Sequence, residues 1–328
     1  MTQPMRRRWL LSVSVMLCII VVLELWARTR VADWQGILGA IVLTDDGNPP
    51  CFRLRPDASG VYDGWLQSIA ATHFHIDSRG LRVDAEQPVT GKATERLALV
   101  GDSHIFGLGV NFQDTLGATL ERALVRGHDK AQGRCLTAAC SPAVEVLNLG
   151  VPGYDFDGMV TRVTETVPAL SPSVLVIAIG ANDLPQRMCG QHSKPARSMF
   201  RYSALGRVAL AAIYKAERSE ARCDADELRR VNKGLAQMSR ATPQARRVIV
   251  SLSPLCHDEA AQALRVAASK AGFEIVSVHP LFEQLTLNYG VTSIIGDGHL
   301  NQRGNRRLAK KLANLLLTQK FRKPSQAP

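Results

Sequence analysis

Between residues 96 and 278 the sequence alternates short apolar runs with longer helix-period segments, and this alternation restricts the fold more than any other feature. The runs are Leu97–Val100, Val144–Leu149, Val174–Ile179, Val248–Leu252 and Phe273–Val278. Each has strand length and is apolar at odd and even positions alike, the pattern of a strand covered on both faces. Helix-period segments lie at 115–127, 156–169, 203–218, 225–239 and 258–271, and a last helix at 302–318 opens in "NQRGNRR" and carries "LAKKLANLLL". Such alternation predicts an α/β domain, a three-layer sandwich with a central parallel sheet of five strands. Residues 187–223 make the connection after the third strand unusually long, which predicts an excursion near the functional edge.

In sheets of this kind ligands bind at the carboxyl ends of the strands. The first strand ends in Gly101-Asp102-Ser103, the second in Asn148 followed by Gly150 and Gly153, and the third in Gly180-Ala181-Asn182-Asp183. The last loop holds Asp297-Gly298-His299. The topology therefore brings four polar clusters to one rim. A serine hydroxyl is a weak nucleophile until a histidine takes its proton, and that histidine needs a carboxylate to fix its tautomer. Ser103, His299 and Asp297 supply one of each. The amides of Ser103 and Gly153 and the side-chain amide of Asn182 offer donors for a developing oxyanion.

The blocks "GDSHIFGLGV", "NLGVPG", "GAND" and "DGHLN" resemble, in their usual order, the four blocks of the SGNH (GDSL-type) hydrolases. The resemblance covers residues 96–318. It implies a flavodoxin-like sheet and serine-dependent hydrolysis of esters without cofactor or metal. By position it makes Ser103 the nucleophile, Gly153 and Asn182 the oxyanion residues and His299 the base, with Gly150 a turn residue. The family's acid usually stands three residues before the histidine, where this chain has Gly296. Asp297 stands two before it, a spacing similar to that of the alginate-type acetyltransferases, and takes the acid's role on that basis.

Simpler readings accompany each block. Asp102 can cap a turn, Asn182 can sit in a strand-end turn, and Asn301 can cap the last helix. His104 can shape a pocket or merely pack. No G-x-S-x-G elbow is present, and "GLGVNF" puts Phe112 where a dinucleotide fingerprint needs its third glycine. His73 and His75 share one face of a short expected strand before the turn "DSRG". With no third ligand nearby they read as surface or core residues rather than a metal pair.

Ahead of this domain, Arg6-Arg7-Arg8 precede an 18-residue apolar run from Trp9 to Trp26 whose one charge is Glu24. The run suffices to cross a bilayer, and "LELWARTR" is a poor cleavage site, so an uncleaved signal anchor is expected over residues 9–26. The preceding arginines place the N-terminus in the cytoplasm and the remainder outside the inner membrane, in the periplasm or extracellular space. The expected divisions are 1–29 (cytoplasmic tip and anchor), 30–95 (irregular extension), 96–320 (hydrolase domain) and 321–328 (polar tail). Cys18 in the span is expected unpaired, and the other six cysteines suit an oxidising compartment. Cys135 with Cys140 is the first expected bridge and Cys189 with Cys223 the second.

The net charge of +11 raises the question of nucleic acid, but aromatics are only 5% of residues and interleave with no basic run. A solvated basic face is the expectation, with no nucleic-acid partner. The sequence thus points to a membrane-anchored extracytoplasmic serine esterase acting on a lipid or an acylated polysaccharide. Acyl transfer to an envelope polysaccharide by the same residues is the first alternative. A non-catalytic envelope binding protein on the same scaffold is the second.

Overall fold

A computed structural model describes residues 3–28, 41–43, 52–64, 69–85, 95–132, 144–180, 183–184, 203, 205–206, 223–289 and 299–320. The expected helix at 203–218 lies almost wholly outside the described residues. Helix α1 (Gln3–Arg28) carries the apolar run, and its side chains from Trp9 to Trp26 are mostly exposed. Near its far end the Glu24 carboxylate accepts from the Ser203 hydroxyl at 2.8 Å and the Leu205 amide at 2.9 Å. Ser203 Oγ in turn accepts from the Gly206 amide at 2.9 Å.

A two-stranded antiparallel ribbon follows, β1 (Ile41–Leu43) with β2 (Phe52–Leu54). The next strands are β3 (Ser59–Gly64), β4 (Ile69–Ile76), β5 (Arg82–Val83) and β6 (Glu95–Gly101). A single turn, α2 (Ser103–Phe106), then precedes α3 (Leu116–Gln132), β7 (Val144–Gly150), α4 (Phe156–Leu170) and β8 (Val174–Ile179). The chain continues through α5 (Ala225–Ala241), β9 (Arg246–Ser251), α6 (Asp258–Lys270) and β10 (Phe273–Ser277). It ends in α7 (His279–Tyr289), which the periodicity did not announce, and α8 (Gln302–Lys320).

All five expected strands form, and they are parallel, with β6 between β7 and β8 and the order continuing to β9 and β10. This is the flavodoxin-like order, whose direction reverses at β6. The sheet, however, has eight strands rather than five. The stretch expected to be irregular adds β5, β4 and β3, all antiparallel, along the β7 edge. Strand β5 is only two residues long and β3 contains two glycines, so neither has a readable period. The expected strand at His73–Ile76 is the end of β4, and the expected turn follows it, with Asp77 Oδ1 accepting the amides of Arg79 and Leu81 at 2.9 Å. Thr72, Phe74 and Ile76 are buried whereas His73 is exposed and His75 half-buried. Among the described residues no cluster of His, Cys, Asp and Glu could hold a metal.

The alternation of β6 explains its apolar composition. Ala98 and Val100 pack with α4 and α5 residues such as Val163, Leu235 and Met238 on one face. Leu97 and Leu99 pack with Leu120, Leu308 and Leu312 of α3 and α8 on the other. Both faces bury apolar area at about 25 cal/mol per Å², so a polar residue within this strand has nowhere to go.

Two devices fix what lies at the strand ends. Gly150, the last residue of β7, leaves room for α2 to cross: a Cβ there would lie 2.1 Å from the Phe106 amide nitrogen. Gly150 is therefore a close-approach residue at a strand end and not simply a turn residue. The second device is Arg82 of β5, which is 2% exposed. Its guanidinium donates to the carbonyls of Phe106 at 2.7 Å, Gly107 at 2.6 Å and Val110 at 2.7 Å, and lies over the Phe106 ring. Burial pushes it down to about 9, which leaves it cationic at neutral pH.

The described disulfide is Cys223–Cys256, with Cα atoms 5.8 Å apart. This corrects the expected Cys189–Cys223 pairing. Cys223 precedes α5 and Cys256 follows β9, so the sheet topology brings both to the same edge. Cys18 is free, as expected, and Cys135 and Cys140 lie outside the described residues.

Gly150→Ala should cost about 3 kcal/mol or more, because the obstructing atoms are backbone and cannot rotate away. Thermal unfolding of the purified variant measures this, and a wild-type melting curve would mean that α2 shifts freely. Cys223→Ser combined with Cys256→Ser should cost about 3–4 kcal/mol, the loop entropy released by opening a bridge across 33 positions. Denaturant titration without reductant is the check.

Candidate active site

Strand β6 delivers Ser103 to the point where the sheet order reverses. The chain cannot continue as strand there, because Asp102 caps the next turn: its carboxylate accepts the His104 amide at 2.9 Å. Gly107 ends α2 in the left-handed region at φ 84°. Gly101 is required as well, since a Cβ would lie 2.4 Å from the Ile105 side chain. Asn148 of β7 locks the turn from below, donating to the Ile105 carbonyl at 2.9 Å and accepting the Gly150 amide at 3.0 Å. With Arg82 beyond it, α2 is held by polar bonds from two strands. Asn148 and Arg82 are both buried, where polar groups need such partners.

His299 reaches Ser103 from the other end of the chain. Its Nε2 stands 2.7 Å from Ser103 Oγ, a contact across 196 positions. The histidine is 7% exposed and Ser103 is half-buried. Its placement comes from the start of α8. Asn301 caps that helix, its side chain accepting the amides of Arg303 at 3.0 Å and Gly304 at 3.1 Å. Buried Asn305 donates to the carbonyls of Leu300 at 3.3 Å and Asp114 at 3.0 Å, tying the histidine's neighbour to the segment after α2. Gln302 adds a bond to the Asp114 carboxylate at 2.6 Å.

The remaining expected residues divide. Gly153 lies in the turn between β7 and α4, exposed and at φ 84°, a conformation that favours glycine. After β8, buried Asp183 closes a turn by accepting the Gly180 amide at 2.7 Å. Asn182 and Asp297 lie outside the described residues. His104, open in the sequence between pocket and packing roles, is half-buried against the His299 ring. Arg82 and Asn305 were not anticipated. A buried arginine in "RGLRVD" carries no local mark, and Asn305 reads as one more polar residue on an amphipathic helix.

A serine hydroxyl bonded to an imidazole nitrogen at this distance can pass its proton in one step as the oxygen attacks carbon. The arrangement suits acyl chemistry and needs no redox group.

A protein-family model described as the GDSL-like lipase/acylhydrolase family matches residues 99–307. No curated protein matches the chain. Solved structures with which it aligns include TesA, at 17% identity and a TM-score of 0.41 over 68% of this chain and 98% of that one. The psychrotrophic esterase EstA from Pseudoalteromonas sp. aligns at 9% identity and a TM-score of 0.43, over 70% of this chain and all (100%) of that one. The lipase/acylhydrolase from Enterococcus faecalis aligns at 16% identity and a TM-score of 0.41, over 71% and 100% of the two chains. The family match spans well over half of the sequence, including Ser103 and His299: the chain belongs to the GDSL-like lipase/acylhydrolase family and is a hydrolase acting on ester bonds.

Proposed function

We propose that this protein is a membrane-anchored, extracytoplasmic serine esterase in which Ser103 is the nucleophile and His299 the base. The observation that carries this reading is the 2.7 Å contact between Ser103 Oγ and His299 Nε2. Ser103 attacks the ester carbonyl as its proton passes to His299. The imidazolium then gives that proton to the leaving alcohol. Water, deprotonated by the same ring, releases the acid from the acyl-enzyme and restores the serine. Asp297 orients His299, and the amides of Ser103 and Gly153 with the Asn182 side chain receive the oxyanion. Each such donor is worth about 3 kcal/mol when the charge develops beside it.

Support for the anchor comes from α1, where a 21-residue segment, Arg7–Ala27, is apolar and long enough to cross a membrane. Near its far end the helix also touches the rest of the chain, where Glu24 accepts hydrogen bonds from Ser203 and Leu205. The Cys223–Cys256 bridge suits an oxidising compartment. The inner membrane, with the catalytic unit of residues 96–320 in the periplasm, fits these observations together. Exposed Arg303, Arg306, Arg307, Lys310 and Lys311 on α8 suit an ester carried by an anionic lipid or polysaccharide.

The two-residue spacing from Asp297 to His299 favours one second reading, transfer of the acyl group to a polysaccharide hydroxyl. The steps are shared up to the acyl-enzyme, and only the acceptor differs.

Full-length protein in detergent micelles should hydrolyse p-nitrophenyl acetate or a longer p-nitrophenyl ester, and Ser103→Ala should lower kcat by about 10⁴-fold or more. Equal rates in the two proteins would remove Ser103 from the mechanism. An added sugar acceptor that is acylated at the expense of free acid would move the assignment to transfer.

A further inference from the structure

We infer that the exposed cations of α8 form a docking face for acidic phospholipid headgroups, which lays the domain on a bilayer beside the Ser103–His299 contact. Arg303, Arg306, Arg307, Lys310 and Lys311 are all exposed. Their spacing of i, i+3, i+4, i+7 and i+8 puts them on one side of the helix, over about 12 Å of its length. The opposite side, with Leu308, Leu312 and Leu316, is the seam packed against α3. The stripe therefore faces away from the core.

Little within the chain neutralises it. From Gln302 to Lys320 the helix contains no Asp or Glu. Arg303 with Arg307, Arg306 with Lys310 and Arg307 with Lys311 are like-charged neighbours at i, i+4, and such pairs weaken a helix. Among the described residues, the ion pair these five make is Arg306 with Asp114, at 3.5 Å. Arg307 lies over the Tyr289 ring at 4.6 Å, a contact that leaves its charge in place. Exposed Arg122 and Arg126 of α3 extend the same field. Burial lowers the pKa of Arg122 and the nearby Arg126 and Arg306 lower it further, against the opposing pull of Asp114 and Glu121. On the other layer the cations are paired, Arg229 with Asp226 and Arg230 with Asp157. A stripe that repels itself in the free protein is relieved by an anionic surface laid on it.

A bilayer is the favoured surface because α1 carries the apolar segment Arg7–Ala27 in the same chain, and this choice rests on the reading of α1 as an anchor. A tethered domain meets headgroups at a high effective concentration. Each cation within about 10 Å of an acidic surface adds to the attraction at ~0.1 M salt. Arg303 stands four positions after His299, so the docked face begins next to the site.

For the test, full-length protein is placed in nanodiscs of phosphatidylcholine alone or with about 30% phosphatidylglycerol. Lysine acetylation by a soluble amine reagent is then followed by peptide mass spectrometry. Lys310 and Lys311 should react about fivefold or more slowly in the acidic discs at ~50 mM salt, and the difference should vanish at ~0.5 M. Lys233 and Lys270, exposed on α5 and α6 over the other face of the sheet, should react equally in both. Arg303→Glu combined with Arg307→Glu leaves both lysines and the Asp114 contact in place, and should remove most of the protection. If that variant fails to fold by its melting curve, the wild-type comparison decides alone. Equal rates for Lys310 and Lys311 in the two discs overturn the inference, as does a slowing that Lys233 and Lys270 share. A chain that stays out of neutral discs yet is protected by acidic ones sinks the anchor and keeps the docking face. Protection by polygalacturonate in neutral discs, with none from acidic lipid, reassigns the stripe to a polysaccharide and overturns the lipid.

Discussion

The buried guanidinium of Arg82 is the interaction on which the rest of the site depends. Three carbonyls of the segment after Ser103 point at it, and in an apolar interior each would be costly without a donor. One planar cation satisfies all three and so dictates the path of the chain from Phe106 to Val110. The strand that carries Arg82 is two residues long and, among the described residues, pairs with β7 only through Arg82 and Asn148. Those two residues are also the ones that bond to the turn carrying Ser103, Asn148 at the Ile105 carbonyl and Arg82 at the next two. The antiparallel edge of the sheet is thus a bracket for the loop that presents the serine.

His299 is held on the opposite flank by different means. Helix α8 lies against α3 through Leu308, Leu312 and Leu316, an apolar seam that fixes the helix axis. Asn301 then caps its first turn, and Gln302 and Asn305 fix that turn against the segment that follows α2. The burial is generic and tolerant of exchange among apolar residues, whereas the amide bonds are directional. Seam and amides together define where His299 stands: the first brings the helix near, and the second aims it.

What could be read from the sequence follows this division between periodic and singular features. The parallel strands and most of their helices were legible because double burial makes the centres of β6, β8 and β9 continuous apolar runs and leaves the helices a clear stripe. Ser103 and His299 were legible because glycine and polar residues at strand ends have few purely structural uses in series. The antiparallel edge was not, since a two-residue strand and a glycine-containing hairpin have no period to detect. Arg82 was not, because a buried arginine and a solvated one look identical until the carbonyls around it are known. The Cys189–Cys223 expectation failed for a related reason: proximity in sequence was used where the sheet decides proximity, and the sheet carries Cys256 to Cys223.

The contact between Ser103 and His299 joins the loop after the first parallel strand to the start of the final helix. A ribosome adding about 5–20 residues per second needs on the order of ten to forty seconds to make the chain between them. Throughout that interval the emerging polypeptide holds Ser103 without His299 beside it. The pair forms only when α8 settles on α3, among the last tertiary events that vectorial synthesis allows. With Ser103 and His299 in the roles proposed above, the fold acts as its own timer, keeping the chain inert toward esters it meets before its assembly is complete.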